Sequence, residues 1–283
     1  MKTYYRKIPL LFILFTCAHH CFAQKIDTTI VVRDSVIAGD ISPAGIALLS
    51  KADSVKSTRY FAGAVSVTNN GISFVPSFNL EKPAVMFDLS LGRSKLTFEP
   101  QLWFSAEGKP WTFLFWWRYQ LVDRQKFRLR VGAHAAFSFR TLPIVINGGK
   151  NEVIEARRYL VGEIAPNYFL TKNISVGMYY LYSRGFDFDA ATNGHFLTVN
   201  SNFANIKLTN QLFMQIVPQI YYLKLEAQDG FYASSTVILA KRNFPLSLST
   251  IVNKIIQTNI AGSKDFIWNV TLIYSFSKKY LKA

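Results

Sequence analysis

From Gly71 to Phe276 the chain alternates large apolar side chains with polar or small ones, residue by residue, in runs broken by short polar stretches. In FIWNVTLIYSF, Phe266, Trp268, Val270, Leu272, Tyr274 and Phe276 share one parity, and Asn269, Thr271 and Ser275 the other. KFRLRVGAHAAFSFR divides into Phe127, Leu129, Val131, Ala133, Ala135, Phe137 and Phe139 against Arg128, Arg130, Gly132, His134, Ser138 and Arg140. GISFVPSFNL divides into Ile72, Phe74, Pro76, Phe78 and Leu80 against Ser73, Ser77 and Asn79. A period of two belongs to strands, whose successive side chains leave opposite faces. The pattern predicts about twelve strands: 71–80, 84–92, 95–105, 111–122, 126–140, 154–170, 174–184, 195–205, 208–224, 231–240, 244–257 and 266–276. Phe61 to Val67 is a candidate additional strand.

WTFLFWWRYQLV poses the question of what each face meets. Trp111, Phe113, Phe115, Trp117, Tyr119 and Leu121 share one face, while Arg118 leaves on the other with Thr112, Gln120, Leu114 and Trp116. A soluble sandwich alternates too, so composition has to decide. Half of all residues are hydrophobic, 15% are aromatic and only 17% are charged, a poor mixture for a wetted surface. About ten residues rising ~3.3 Å each at a tilt of ~40° span about 25 Å, the height of an outer-membrane apolar band. The oily face is therefore expected to meet lipid, where an arginine near the midplane would cost ~2–4 kcal/mol. Arg118 is expected in the lumen.

The chain begins MKTYYRKIPLLFILFTCAHHCFAQ: a basic start, an apolar run from Ile8 to Phe15, and uncharged residues up to Ala23. That is the pattern of a secretory signal peptide, with cleavage expected after Ala23 and a run too short to span as a helix. A lipoprotein signal needs small residues before its cysteine, which His19 and His20 before Cys21 do not supply. Cys17 and Cys21 both fall in the signal, so disulfides and thiolate metal sites are excluded from the mature chain. The 32 basic residues less Lys2, Arg6 and Lys7 leave 29 against 17 acidic ones, a formal charge of +12. Attraction to anionic lipid headgroups, lipopolysaccharide included, or to an anionic solute is the functional sense of such a surplus, and nucleic acid is no partner for an exported chain.

Turn lengths add a polarity. GRSK (92–95), DRQ (123–125), TKN (171–173) and KRN (241–243) are short, whereas TLPIVINGGKNEV (141–153) and GFDFDAATNG (185–194), on the alternate connections, are long. Short periplasmic turns alternating with longer external loops are the habit of membrane barrels, and an even strand number returns both termini to the periplasm.

With the export signal, the strand pattern and a closing aromatic strand ending Tyr274-Ser275-Phe276, the chain resembles the outer-membrane β-barrel proteins of Gram-negative bacteria over Gly71 to Phe276. The resemblance implies an all-β fold, a closed antiparallel transmembrane β-barrel in the cell outer membrane, inserted by the barrel-assembly machinery that reads such final strands. Ser277 to Ala283 follow Phe276 and depart from the family at that terminus. The expected organisation is a signal peptide at 1–23, a periplasmic lead-in or plug at 24–70, the barrel at 71–276 and a tail at 277–283. In the lead-in, Ser42 and Pro43 would start a short helix carrying Ile46, Leu49 and Val55.

Little in the sequence points to catalysis. His195 shares the parity of Leu197 and Val199, facing lipid near the outer rim; an outer-membrane lipid esterase of the family would carry a serine two residues after the histidine, where this chain has Leu197. Asp187, Asp189, Asn193 and His195 are oxygen-rich but lack the spacing of a calcium loop. No cofactor or metal is expected.

The polar face carries more. Pairing the strands symmetrically about their turns sets Asp88 opposite Glu99, Glu99 opposite Arg118, Arg118 opposite Arg130 and Arg130 opposite Glu163. Those five would form a lumen belt, with Gln101, Gln120, Arg128, His134 and Arg140 also lining the interior. Such charges either glue the barrel or act as a selectivity ring or gate. The expected function is a narrow channel or transport pore for small solutes; the alternative is a structural or assembly barrel with a shut lumen, and a lipid-modifying esterase is third. Solute and oligomeric state are not legible.

Overall fold

The computed structural model describes residues 59–146, 149–188 and 190–280. The expected signal peptide and the helix at Ser42 lie outside the described residues. Twelve strands follow one another: β1 (Arg59–Thr68), β2 (Ala84–Arg93), β3 (Leu96–Ser105), β4 (Pro110–Asp123), β5 (Phe127–Ile146), β6 (Gly149–Phe169), β7 (Ile174–Gly185), β8 (Asn193–Lys207), β9 (Leu212–Leu225), β10 (Gln228–Lys241), β11 (Leu246–Thr258) and β12 (Phe266–Tyr280). Each pairs antiparallel with the next, and β1 pairs with β12 to close the barrel, with Gly63 opposite Phe276 and Val65 opposite Tyr274.

The period-two pattern sorts the side chains as the composition demands. Trp117, Tyr119 and Leu121 of β4, and Phe266, Trp268, Val270, Leu272 and Tyr274 of β12, are exposed on the outer wall. Asn269, Thr271 and Ile273 of β12 are buried inside. The barrel spans the membrane with its oily side outward, and a closed ring leaves no strand edge in lipid.

Three expectations are corrected. Residues 71–80 are not a strand: the connection from β1 to β2 folds inward, with Ile72 and Phe74 each only 5% exposed and one 3-10 turn at Pro76–Phe78. Its alternation arises from apolar side chains turned into the interior. The strand of that position is β1, which contains Phe61 to Val67. Its inward residues Ala62, Ala64, Ser66 and Thr68 are all small, which is why its signal in the sequence is faint. The strand number stays at twelve, but the barrel runs from Arg59 to Tyr280 rather than over 71–276, so residues 59–70 and 277–280, assigned to the lead-in and the tail, belong largely to strands.

The long loop at 141–153 is a hairpin instead. β5 and β6 remain paired from Arg140–Glu155 to Ile146–Gly149, beyond the last partners that β4 and β7 offer them. The stretch is rich in Ile, Val and Thr, the residues that suit a pleated ribbon.

The third correction concerns register. Asp88 lies opposite Gln101, Glu99 opposite Trp116, Arg118 opposite Thr97 and Gly132, and Arg130 opposite Gln120 and Ala165. The hairpin turns centre one residue away from where the symmetric fold places them, as where Arg93 pairs with Leu96 and Ile146 with Gly149, so each pairing slips by two.

Candidate functional site

Arg118 of β4 lies in the interior with its side chain 0% exposed. Its Nη1 donates to Glu99 of β3, and its Nε donates to Glu163 Oε1 of β6 at 2.8 Å. β6 is not a neighbour of β4. The strand between them, β5, places Gly132 opposite both Arg118 and Glu163, and a Cβ there would stand 2.8 Å from Glu163 Oε1 and 3.0 Å from Arg118 Cγ. The missing side chain opens the gap through which the ion pair forms. This is a strand glycine of the kind that marks close approach.

Further groups join the network, although Arg130 Nε makes no hydrogen bond in it. Thr97 donates to Glu99 at 2.8 Å, Tyr179 of β7 donates to Glu163 Oε2 at 2.7 Å, and Arg130 Nε stands 3.6 Å from Glu163 Oε1. The guanidinium carbon of Arg118 lies 4.0 Å from the centroid of the Trp116 ring, whose other neighbour is the His134 ring at 3.8 Å. Buried charges are tolerable when their partners and hydrogen bonds are complete, and here two acids meet two arginines.

Four of the five belt residues thus come together despite the altered register. Side chains pointing into a tilted barrel meet their diagonal neighbours, so a slip of two residues keeps the face and changes only the partner. Asp88 stands apart from the pairing expected for it: it is buried and accepts a hydrogen bond from Trp103 Nε1 at 3.0 Å. Gln101 lies beside it, opposite in register and buried. Gln120 bonds the backbone oxygens of Val122 and Leu129. Arg128 pairs with Asp123 at 2.8 Å, and Arg140 lies towards the opposite end of β5, 3.4 Å from Glu155. Trp116, Gly132 and Tyr179 were not singled out from the sequence; their inward parity and the lone strand glycine were the available signals.

The rest of the cross-section is aromatic. Phe74, carried inward by the β1–β2 connection, rests on Phe196 and Tyr221, and Tyr221 stacks on Tyr232 at 4.8 Å and donates to Asn253. Tyr179 joins the two halves, bonded to Glu163 on one side and edge-on to Phe196 on the other. At the end of the barrel holding the β5–β6 hairpin, a cavity of about 320 Å³ opens between Asn79, Lys82, Lys109, Trp111, Arg140 and Arg157. On the outer wall, His195 Nδ1 meets the hydroxyl of Tyr180 at 2.8 Å, and Asp187 is held by Arg158 at 2.8 Å.

No family model and no curated protein matches the chain. Among solved structures it is similar to the KdgM porin in complex with disordered oligogalacturonate, at 11% identity and a TM-score of 0.45 over 77% of this chain and 99% of that one. It is also similar to LpxR from Salmonella typhimurium, at 10% identity and 0.45 over 76% and 100%. A third is OmpT, an outer membrane protein of Vibrio cholerae, at 5% identity and 0.38 over 80% and 100%. The chain itself is a closed antiparallel barrel of twelve strands.

Proposed function

We propose that the chain is an outer-membrane barrel with a shut lumen, a structural or assembly component and not an open pore. One observation carries the reading: Arg118 is wholly buried in the interior between Glu99 and Glu163. A water-filled passage at that level would wet the guanidinium. Tyr179, Tyr221 and Tyr232, all buried, fill the rest of the section. The narrow channel expected from the sequence would need these side chains to leave the axis together, giving up charge-assisted hydrogen bonds in a low-dielectric interior. A lipid esterase would need a hydroxyl nucleophile beside the imidazole of His195, and the position two residues on, where the family's serine would stand, is Leu197.

Planar-bilayer recording of the refolded full chain tests the proposal. Silence is expected from the unaltered protein, and a variant with Arg118, Glu163 and Tyr179 all changed to alanine is expected to conduct. Discrete open steps from the unaltered protein would overturn it.

A further inference from the structure

The two ends of the barrel carry their charge in different ways. At the end with the longer connections, cations are matched by acids: Lys82 with Glu107, Lys109 with Glu152, Arg140 with Glu155, Arg158 with Asp187 and Lys264 with Glu81. At the end with the short turns the balance is lost. Asp123 is the one acid among the described residues of these turns and the strand ends beside them, and it is taken by Arg128. Every short turn nevertheless brings at least one exposed cation, from Lys95, Lys126, Lys172, Lys207, Lys241 and Arg242. Among the described residues the positive surplus is therefore gathered mainly on one rim, at every short turn round it.

The cations have a second regularity. Lys95 is followed by Leu96, Lys172 is two residues from Leu170, Lys207 is followed by Leu208, and Arg242 is two residues from Phe244; all four apolar side chains are exposed. At four of the five short turns, then, a cation stands at the edge of the oily wall with an exposed apolar residue within two residues of it in the chain. A folded protein partner would dock on one sector of a rim. A molecule that surrounds the barrel, with an anionic head and an apolar body, meets all sectors alike.

We propose that this rim binds the phosphate headgroups of anionic phospholipids in the leaflet around it. With the short turns on the periplasmic side, that is the inner leaflet of the outer membrane. A cation near an anionic membrane surface is attracted over roughly a Debye length, and a ring of them collects anionic lipid from a mixed bilayer. The headgroups supply the negative charge that the turns lack, while the acyl chains lie against the exposed residues below.

Native mass spectrometry of the full chain, released from vesicles of equal parts phosphatidylglycerol and phosphatidylethanolamine, reads the retained lipid. Phosphatidylglycerol is expected to be retained at least fivefold over phosphatidylethanolamine. The preference should vanish when Lys95, Lys172 and Lys241 are all changed to glutamine, and persist when Arg184, Lys224 and Lys254, exposed towards the other end, are changed instead. Heat-shifted mobility on gels confirms that both variants are folded barrels. Equal retention of the two lipids by the unaltered protein, or loss of the preference only in the second variant, would overturn the proposal. So would binding of inorganic pyrophosphate as tight as that of phosphatidylglycerol, which marks a soluble-anion site, or a stronger turn-dependent retention of lipid A, which marks the other leaflet.

Discussion

Arg118 and Glu163 belong to strands that never touch, and their side chains meet over Gly132, the one residue of β5 that stands opposite both. The pair therefore depends on an atom that is missing. Changing Gly132 to alanine puts a methyl group inside contact distance of both partners. In a packed interior such overfilling costs about 1–3 kcal/mol. The expected outcome for Gly132→Ala is a lower urea midpoint in detergent; an unchanged midpoint would show that the network yields without cost.

Glu99 and Arg118 offer a test of coupling. Removing Glu99 leaves Arg118 to Glu163 alone, whereas removing Arg118 deprives both buried acids of their shared cation. Glu99→Gln is expected to destabilise the barrel by about 3 kcal/mol, at the low end of the range for a broken buried pair. Arg118→Met alone should cost more, since it also strands Glu163, and the double mutant should lose less than the sum of the two single losses; strictly additive effects would deny the coupling.

Glu152 on the β5–β6 hairpin is bonded by Lys109, and the hydrogen bond and charge of that lysine hold its carboxyl below the usual carboxylate range. The same bond to Glu152 raises Lys109 above the usual lysine value. A lowered carboxyl contributes fully above its ordinary value of 4.5 and loses that contribution as pH falls through the lowered one. The raised lysine contributes below 10.5 and loses its contribution as pH rises through the raised value. Protection of the hairpin amides, taken relative to the free-peptide exchange rate at each pH, should thus be greatest between those limits and smaller at either extreme, with Glu152→Gln removing both limbs. A flat profile in the unaltered protein would deny the pair any hold on the hairpin.

An epitope placed between β5 and β6 is expected to be reached by antibody on intact cells, and one at Lys172 only after permeabilisation. The reverse pattern would turn the barrel over and move the cationic rim to the outer face.

Alternation made eleven of the strands legible because each has one face of large apolar residues, and lipid demands that face whatever the interior does. β1 showed only as a candidate strand over Phe61 to Val67, since its inward Ala62, Ala64, Ser66 and Thr68 are small and its outward set includes Gly63. Its neighbour 71–80 imitated a strand because inward packing of Ile72 and Phe74 also selects apolar residues at alternate positions. The belt was legible as a face, since parity survives any even slip, but not as a set of partners. The turn centres lie one residue away from the symmetric positions, a displacement that slips the register by two and leaves no mark in the hydrophobic pattern. The role of Gly132 follows from what stands on both sides of it, which no single strand reveals.

The inward segment between β1 and β2 has a mechanical meaning. It is anchored beside the seam where the first and last strands meet, yet Phe74 bears on β8 and β9, Phe78 bears on Tyr159 of β6, and Trp111 of β4 donates to the Phe78 oxygen. A ring of hydrogen-bonded strands is easily squeezed into an oval, because flattening it breaks no ladder bond. Spokes from the seam to three separate sectors of the wall resist that distortion, so the segment sets the shape of the cross-section as well as filling it. Stiffness of the ring and position of the seam are thereby tied to the same fifteen residues, 69 to 83.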